Sequence, residues 1–282
     1  MRFCSLGSKE ECVGAVVRGD RIFTFNDLRG LTGMKLPAQL EVAELPDPSV
    51  LERALVKIGS QVGERSGGVR YSAPFYNPPK VLGIGLNYRE HAADLGAQQP
   101  SEPASFMKPR TAIIGPGDEI VLPEGSDRVT AEAELGVIIG KRCKHVREED
   151  ADAVVFGYVP ILDMTEEDIL QRNPRFLTRA KSFDTFLSFG PIILTPNEVA
   201  DLPGLTVRTV LNGEVVKSNQ IRNMLFSPRR LIAFHSDVMT WEPGDILSTG
   251  TPGAVVIKAG DVVECRIDGF PALSNPVVGG DR

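Results

Sequence analysis

The order of apolar and polar positions divides the chain into two textures. Residues 13 to 25 alternate short β-rich pieces, VGAVV and RIFTF, about Arg18-Gly19-Asp20, which predicts a hairpin. From residue 48 to 58 the period changes. Leu51, Ala54, Leu55 and Ile58 recur at helical spacing, with Asp47 placed to cap and Pro48 at the first helical position. Residues 59 to 79 then carry Gly59, Gly63, Gly67, Gly68, Pro74, Pro78 and Pro79, a composition that sustains no long regular element. A domain boundary is expected there, dividing a small α+β N-terminal domain (residues 1–73) from a larger domain (74–282).

Beyond residue 79 short strands follow one another: VLGIGLN, ELGVIIG, VVFGYVPIL, TVRTVLNGEVV, DILSTG and AVVIKAGDVVECRI. Asn212-Gly213 between apolar runs predicts a second hairpin, because a type I′ turn needs positive φ at both central residues. One clear helix interrupts, from a Ser227 cap and Pro228 through Leu231, Ile232, His235 and Met239. The expected class is mostly β, of α+β type, with helices as additions.

Composition narrows the function. Thirty-one basic and 37 acidic residues give a net charge of −6, and no cluster of Lys and Arg offers the counterion exchange on which nucleic-acid affinity rests. The longest uncharged stretch, Thr185 to Asn197, is 13 residues and holds two prolines, too short and broken to span a bilayer. Cys4, Cys12, Cys143 and Cys265 form no metal-ligand spacing, and the amino terminus has no secretory apolar core. Reduced thiols and a cytoplasmic protein are expected.

Candidate chemistry lies in four places. In Ala131-Glu132-Ala133-Glu134-Leu135, strand alternation points both glutamates to one face, with Cα atoms roughly 6.5 to 7 Å apart, so both can reach one ion. An isolated E-x-E is more often a solvated strand end, yet the apolar run that follows carries this strand into a core. Asp163 closes the apolar stretch Ala153 to Leu162. It reads equally as a third ligand or as the N-cap of a helix over Met164 to Leu170. Three carboxylates without a nearby Cys or His suit Mg²⁺ or Mn²⁺ better than zinc.

The segment Val81 to Gly96 reads as a strand entering a short helix capped by Asn87. Its Gly83-x-Gly85 pair is no dinucleotide fingerprint, since the third glycine position is Tyr88. His91 and Asp94, at i and i+3, share a helical face, and a carboxylate beside an imidazole prepares a general base; a surface pair is the plainer alternative. Lys181 could stabilise an enolate or be an ordinary surface cation. His145 is expected in solvent, and His235 packed in the apolar face of its helix.

GLNYREHAADLG, FMKPRTAIIGPGDEIVLP, AEAELGVIIGKR, ILDMT, AKSFDTF with GP following, LNGE and EPGDILSTGTPG stand here in the order they take in the fumarylacetoacetate hydrolase family, which residues 80 to 280 resemble. The resemblance implies a mixed β roll, a homodimer and one Mg²⁺ or Mn²⁺ held by Glu132, Glu134 and Asp163. It implies a small oxo-acid substrate, His91 with Asp94 on a lid helix, Lys181 beside the reacting centre, and Tyr88, Arg89 and Thr251 lining the pocket. The N-terminal 70 or so residues are similar to the extra domain of bacterial members. The chain departs from the family's pattern after Asp163: where many members carry Arg and Gln it reads Glu167 and Leu170, and Ile221 stands where Thr is common. A carboxylate at 167 would repel a second substrate carboxylate.

The leading expectation is metal-assisted cleavage of a carbon–carbon bond in a 2,4-dioxo acid, such as an acylpyruvate. Oxaloacetate-type decarboxylation or keto–enol isomerisation would use the same ion without an attacking water. A non-catalytic metal-binding protein is the alternative of another class.

Overall fold

The computed structural model describes residues 1–58, 64–65, 68–89 and 100–280. Its centre is an antiparallel pair of long strands, Val129–Ile139 and Val155–Glu166, buried along almost their whole length. Burial on both faces explains why residues 135–139 and 155–162 read as continuous apolar runs rather than as an alternation.

One face is covered by a five-stranded sheet in the order Glu214–Gln220, Thr206–Leu211, Val262–Ile267, Leu273–Gly279, Ile120–Leu122. Its Val207, Val263, Cys265, Ile267 and Leu273 share a core with Leu135, Val137, Leu162 and Met164. The Asn212-Gly213 hairpin lies here as expected, with φ of 51° and 87° and Leu211 opposite Glu214.

The central pair itself belongs to a 14-stranded mixed sheet, flanked by Ile246–Ser248, Val81–Gly85 and Ala104–Lys108 on one side and by Ile192–Leu194 on the other. The N-terminal strand Arg2–Leu6 continues that sheet, antiparallel to Ile192–Leu194, and the hairpin Val13–Arg18 with Arg21–Thr24 extends it with Arg18 opposite Arg21. Phe3, Phe23, Leu51 and Leu55 thereby pack in one cluster with Ile138, Val159 and Ile161. The helix Pro48–Ile58 follows its sequence signals, and Asp47 Oδ1 accepts the Ser49 amide at 2.9 Å. Ser227 likewise caps Pro228–Val238.

Asp163 does not cap a helix. The strand runs three residues further to Glu166, whose side chain accepts from the Ile169 amide and starts the helix Glu167–Arg172. Register with Glu132 outweighs the local capping tendency, because the ladder continues to Val129 opposite Glu166. Among the described residues no helix is long and apolar enough to cross a membrane. All four cysteines are free, and burial pushes the Cys4 and Cys265 thiols up to about 12.

Candidate active site

The site forms where one face of the central pair changes from apolar to polar. Residues 138, 136, 134, 132 and 130 follow one another on that face, opposite 157, 159, 161, 163 and 165, so Ile138, Val159 and Ile161 give way to Glu134, to Glu132 opposite Asp163, and to Thr130 opposite Thr165. Register alone therefore brings the three acids together. One carboxylate oxygen from each lies within 4.8 Å of the others, and all three side chains are buried.

Buried charge requires partners. Lys181, the last residue of the helix Leu177–Lys181, donates to Glu132 Oε2 at 2.8 Å and to Asp163 Oδ2 at 2.9 Å, with its Nζ 4.7 Å from the Phe106 ring centroid. Lys108, at the end of the edge strand Ala104–Lys108, donates to Asp163 Oδ1 at 2.5 Å and to the Met164 carbonyl at 3.2 Å. Against the upward push of burial, the two ammonium groups hold Asp163 below the usual carboxylate range. Burial presses Lys181 downward, but Asp163 and Glu132 outweigh it and hold the ammonium above its ordinary value, so Lys181 is a permanent cation rather than a base. Lys108 is pushed down to about 8 by burial, against the pull of Asp163.

Glu134 is placed differently. Its Oε2 accepts from Ser248 Oγ at 2.5 Å and from the Gly250 amide at 2.7 Å. Gly250 has φ of 95°, and a side chain there would meet Asn87 Cβ at 2.7 Å, so glycine lets this turn come close enough to donate. Burial, with Asp163 and Glu132 behind it, raises Glu134 to about 8. With Glu134 protonated, Glu132 and Asp163 balance the two ammonium groups, and ionising Glu134 leaves the cluster one positive charge short. A hard divalent cation fits this set: oxygen donors converge on a buried point and one of them is poised to lose its proton to a metal.

The raised Glu134 sets a pH dependence for the metal-free protein. The folded state keeps a proton that the unfolded chain releases near 4.5, so this contribution to stability is complete below 4.5 and is lost as pH rises through about 8. The loss should reach the order of a few kcal/mol. Lys108 adds an opposite slope only above about 8. Melting temperatures in chelator should therefore fall from pH 5 to pH 8, while added Mg²⁺ should raise them more at pH 8 than at pH 5. A flat or rising series in chelator would contradict the assignment.

Of the remaining expected site residues, His91 and Asp94 lie outside the described residues. Tyr88 is fully buried, and its hydroxyl has no hydrogen-bond partner among the described residues. Burial, then Glu134, holds its phenol well above the ordinary value, so it stays protonated. Arg89 is exposed. Thr251 is buried two residues after Thr249, its hydroxyl donating to the Gly253 carbonyl at 3.1 Å and accepting the Gly253 amide at 3.2 Å. Asn87 fastens the strand end ahead of Tyr88: its amide donates to the Thr249 and Phe226 carbonyls and its carbonyl accepts the Phe226 amide. His145 is exposed and His235 buried, donating from Nδ1 to the Leu231 carbonyl, as expected of both.

Sequence reading missed Lys108 as a member of the site. The signal was there: in Ala104–Lys108 the inward positions are Phe106 and Lys108, a lysine on the parity of a buried aromatic. Glu167 is half-buried near the cluster, and burial followed by Glu132 raises its carboxyl above the usual range.

Residues 80–278 match the model of the fumarylacetoacetate hydrolase C-terminal domain. The 2,4-didehydro-3-deoxy-L-rhamnonate hydrolase of a Sphingomonas species is 33% identical over 278 residues, 95% of this chain and 93% of that protein. The mitochondrial oxaloacetate tautomerase of Xenopus laevis is 40% identical over 215 residues, 73% of this chain and 67% of that one. Among solved structures, maleylpyruvate hydrolase from Sphingobium, in complex with manganese and pyruvate, superposes with a TM-score of 0.82 at 32% identity and covers both chains completely. Fold, motif order and matched length lead to one assignment: the chain belongs to the fumarylacetoacetate hydrolase family of enzymes.

Proposed function

We propose that the protein is a divalent-metal-dependent hydrolase that cleaves the carbon–carbon bond of a 2,4-dioxo acid. The observation that carries this reading is the buried Glu132–Glu134–Asp163 triad with the Lys181 ammonium in contact with two of its members. Two relatives that align over nearly the whole chain are named as hydrolases, which supports the same reading, while two others of equal coverage are named as isomerases.

Glu132, Glu134 and Asp163 would hold Mg²⁺ or Mn²⁺, which when bound supplies Lewis acidity toward the carboxylate and 2-oxo group of the substrate. His91, oriented by Asp94, takes a proton from water, whose hydroxyl adds to the distal carbonyl carbon. The bond from that carbon to the methylene breaks. Its electron pair leaves with the methylene carbon, which takes up a proton to become the methyl of pyruvate, and the distal fragment departs as a carboxylic acid. Lys181, always charged, stabilises negative charge as it develops, and the protonated Tyr88 hydroxyl is available as a donor near Glu134.

The test supplies acylpyruvates with Mg²⁺ or Mn²⁺ and follows loss of enol absorbance together with pyruvate. His91→Ala should lower kcat by about 10²- to 10⁴-fold, the usual worth of a general base; an unaltered rate removes that role. The similarity to an oxaloacetate tautomerase favours a second reading, proton transfer on a 2-oxo diacid without an attacking water. Enol–keto interconversion of oxaloacetate, with acylpyruvates left intact, would decide for it, and release of carbon dioxide would mark decarboxylation.

A further inference from the structure

The proposed hydrolysis gives work to Lys181 and leaves Lys108 without any. Lys108 is nonetheless the more completely enclosed of the two: its side chain has no exposure, against 7% for Lys181. It comes from the edge strand Ala104–Lys108, which pairs with Val81–Gly85 and turns Phe106 and Lys108 inward. Gly83 makes room for this strand, since a side chain there would run into the Phe106 ring. A buried ammonium persists only where its partners compensate the lost hydration. Here they are Asp163 Oδ1 at 2.5 Å and the Met164 carbonyl at 3.2 Å, neighbours on one central strand.

Every member of the triad has an oxygen engaged by a protein donor. Glu132 Oε2 accepts from Lys181, and Glu134 Oε2 accepts from Ser248 and the Gly250 amide. Asp163 is held twice, Oδ2 by Lys181 and Oδ1 by Lys108. The two lysines differ in freedom. Lys181 stands at the end of a short helix with a small opening to solvent, whereas Lys108 sits in a paired strand, bonded to two acceptors, with no opening. A cation drawing on both oxygens of Asp163 would stand beside Oδ1 and so close to an ammonium that cannot withdraw. Repulsion between the two would act with no water between them to weaken it.

We infer that Lys108 sets the metal selectivity of the site: by holding Asp163 Oδ1 it limits this carboxylate to one oxygen for the ion, which suits Mg²⁺ and disfavours Ca²⁺. Mg²⁺ demands octahedral geometry at about 2.0–2.1 Å, whereas Ca²⁺ takes roughly six to eight oxygens at about 2.3–2.6 Å, often two from one carboxylate. Single oxygens completed by water satisfy the smaller ion and leave the larger one short. Lys108 is thus a positioning residue that acts through Asp163, as hydrogen-bond partners behind metal ligands generally do. Its role rests on the proposed metal triad and not on the reaction that follows.

The experiment titrates the full chain, freed of metal, with Mg²⁺ and with Ca²⁺ by calorimetry, and follows the melting temperature in each ion as a second readout. Wild type should bind Mg²⁺ at least about tenfold more tightly than Ca²⁺. Lys108→Met, which fills the space with neither charge nor donor, should narrow that ratio by about tenfold, chiefly by strengthening Ca²⁺. Lys108→Gln, neutral and too short to hold Oδ1 in the same way, reads the same ratio if the first variant does not fold. Lys181→Met removes the other ammonium but leaves Oδ1 held, so both ions should gain alike and the ratio should stay within about twofold of wild type. Wild-type binding of Ca²⁺ as tight as that of Mg²⁺ overturns the assignment. So does a ratio altered by less than about twofold in the Lys108 variants, or altered as much in Lys181→Met. If neither ion binds, the metal triad fails and this role fails with it. Selective binding that Lys108→Met abolishes, in a protein that cleaves no acylpyruvate, supports the assignment while overturning the proposed hydrolysis.

Discussion

Replacing Asp163 by alanine is expected to lower the stability of the protein by about 3–5 kcal/mol, the cost of leaving a buried charge without its partner. Asp163 lies between Lys108 and Lys181, at 2.5 and 2.9 Å, and the Lys108 and Asp163 side chains have no solvent exposure. Without the carboxylate two buried ammonium groups face each other across the vacated space, with Glu132 left to balance Lys181 alone. Domains are stable by about 5–15 kcal/mol in all, so the variant should sit near the edge of folding. Urea denaturation in chelator measures this directly, and a midpoint equal to wild type would refute it. Asp163→Ala combined with Lys108→Met should lose less than the single variant, because the second change removes one of the stranded charges.

Glu134→Gln should separate stability from activity. Burial and the two neighbouring acids already raise the Glu134 carboxyl to about 8, so the metal-free fold holds it protonated through neutral pH. A neutral amide of the same shape costs little there, and at pH 8 it should melt at or above wild type in chelator. Activity with saturating substrate should nonetheless fall by about 10³-fold or more, since the loss of a metal ligand removes several kcal/mol of Lewis-acid stabilisation. Stabilisation of the fold by Mg²⁺ should shrink as well, because that shift reports affinity for the folded state. A Glu134→Gln protein that retains both activity and the Mg²⁺-induced shift would exclude the residue as a ligand.

Much of this architecture was legible in local sequence because its determinants are local. Asp47 with Pro48 and the spacing of Leu51 and Leu55 define the helix Pro48–Ile58, and Asn212-Gly213 supplies the two positive φ angles its hairpin requires. The common face of Glu132 and Glu134 follows from the pleat of a strand. Asp163 was ambiguous for the opposite reason. An acid at the end of an apolar run can be a cap or a ladder residue, and the choice depends on a partner strand some thirty residues earlier in the chain, in register at Glu132.

Residue types and the period of the strands thus determined that two glutamates share a face, that the fold is strand-rich and that a hard cation suits the acids available. Only the tertiary structure decided which charges surround them. Lys108 shares the parity of Phe106 in sequence, which marks an inward position but names no partner; it is buried because its edge strand pairs with Val81–Gly85 and turns alternate side chains inward. Lys181 reaches Glu132 and Asp163 from a short helix, and Gly250 reaches Glu134 from a turn more than a hundred residues away. Such contacts have no signature in sequence because Coulombic and hydrogen-bond energies depend on distance and burial in space, and neither is set until the sheets close over the site.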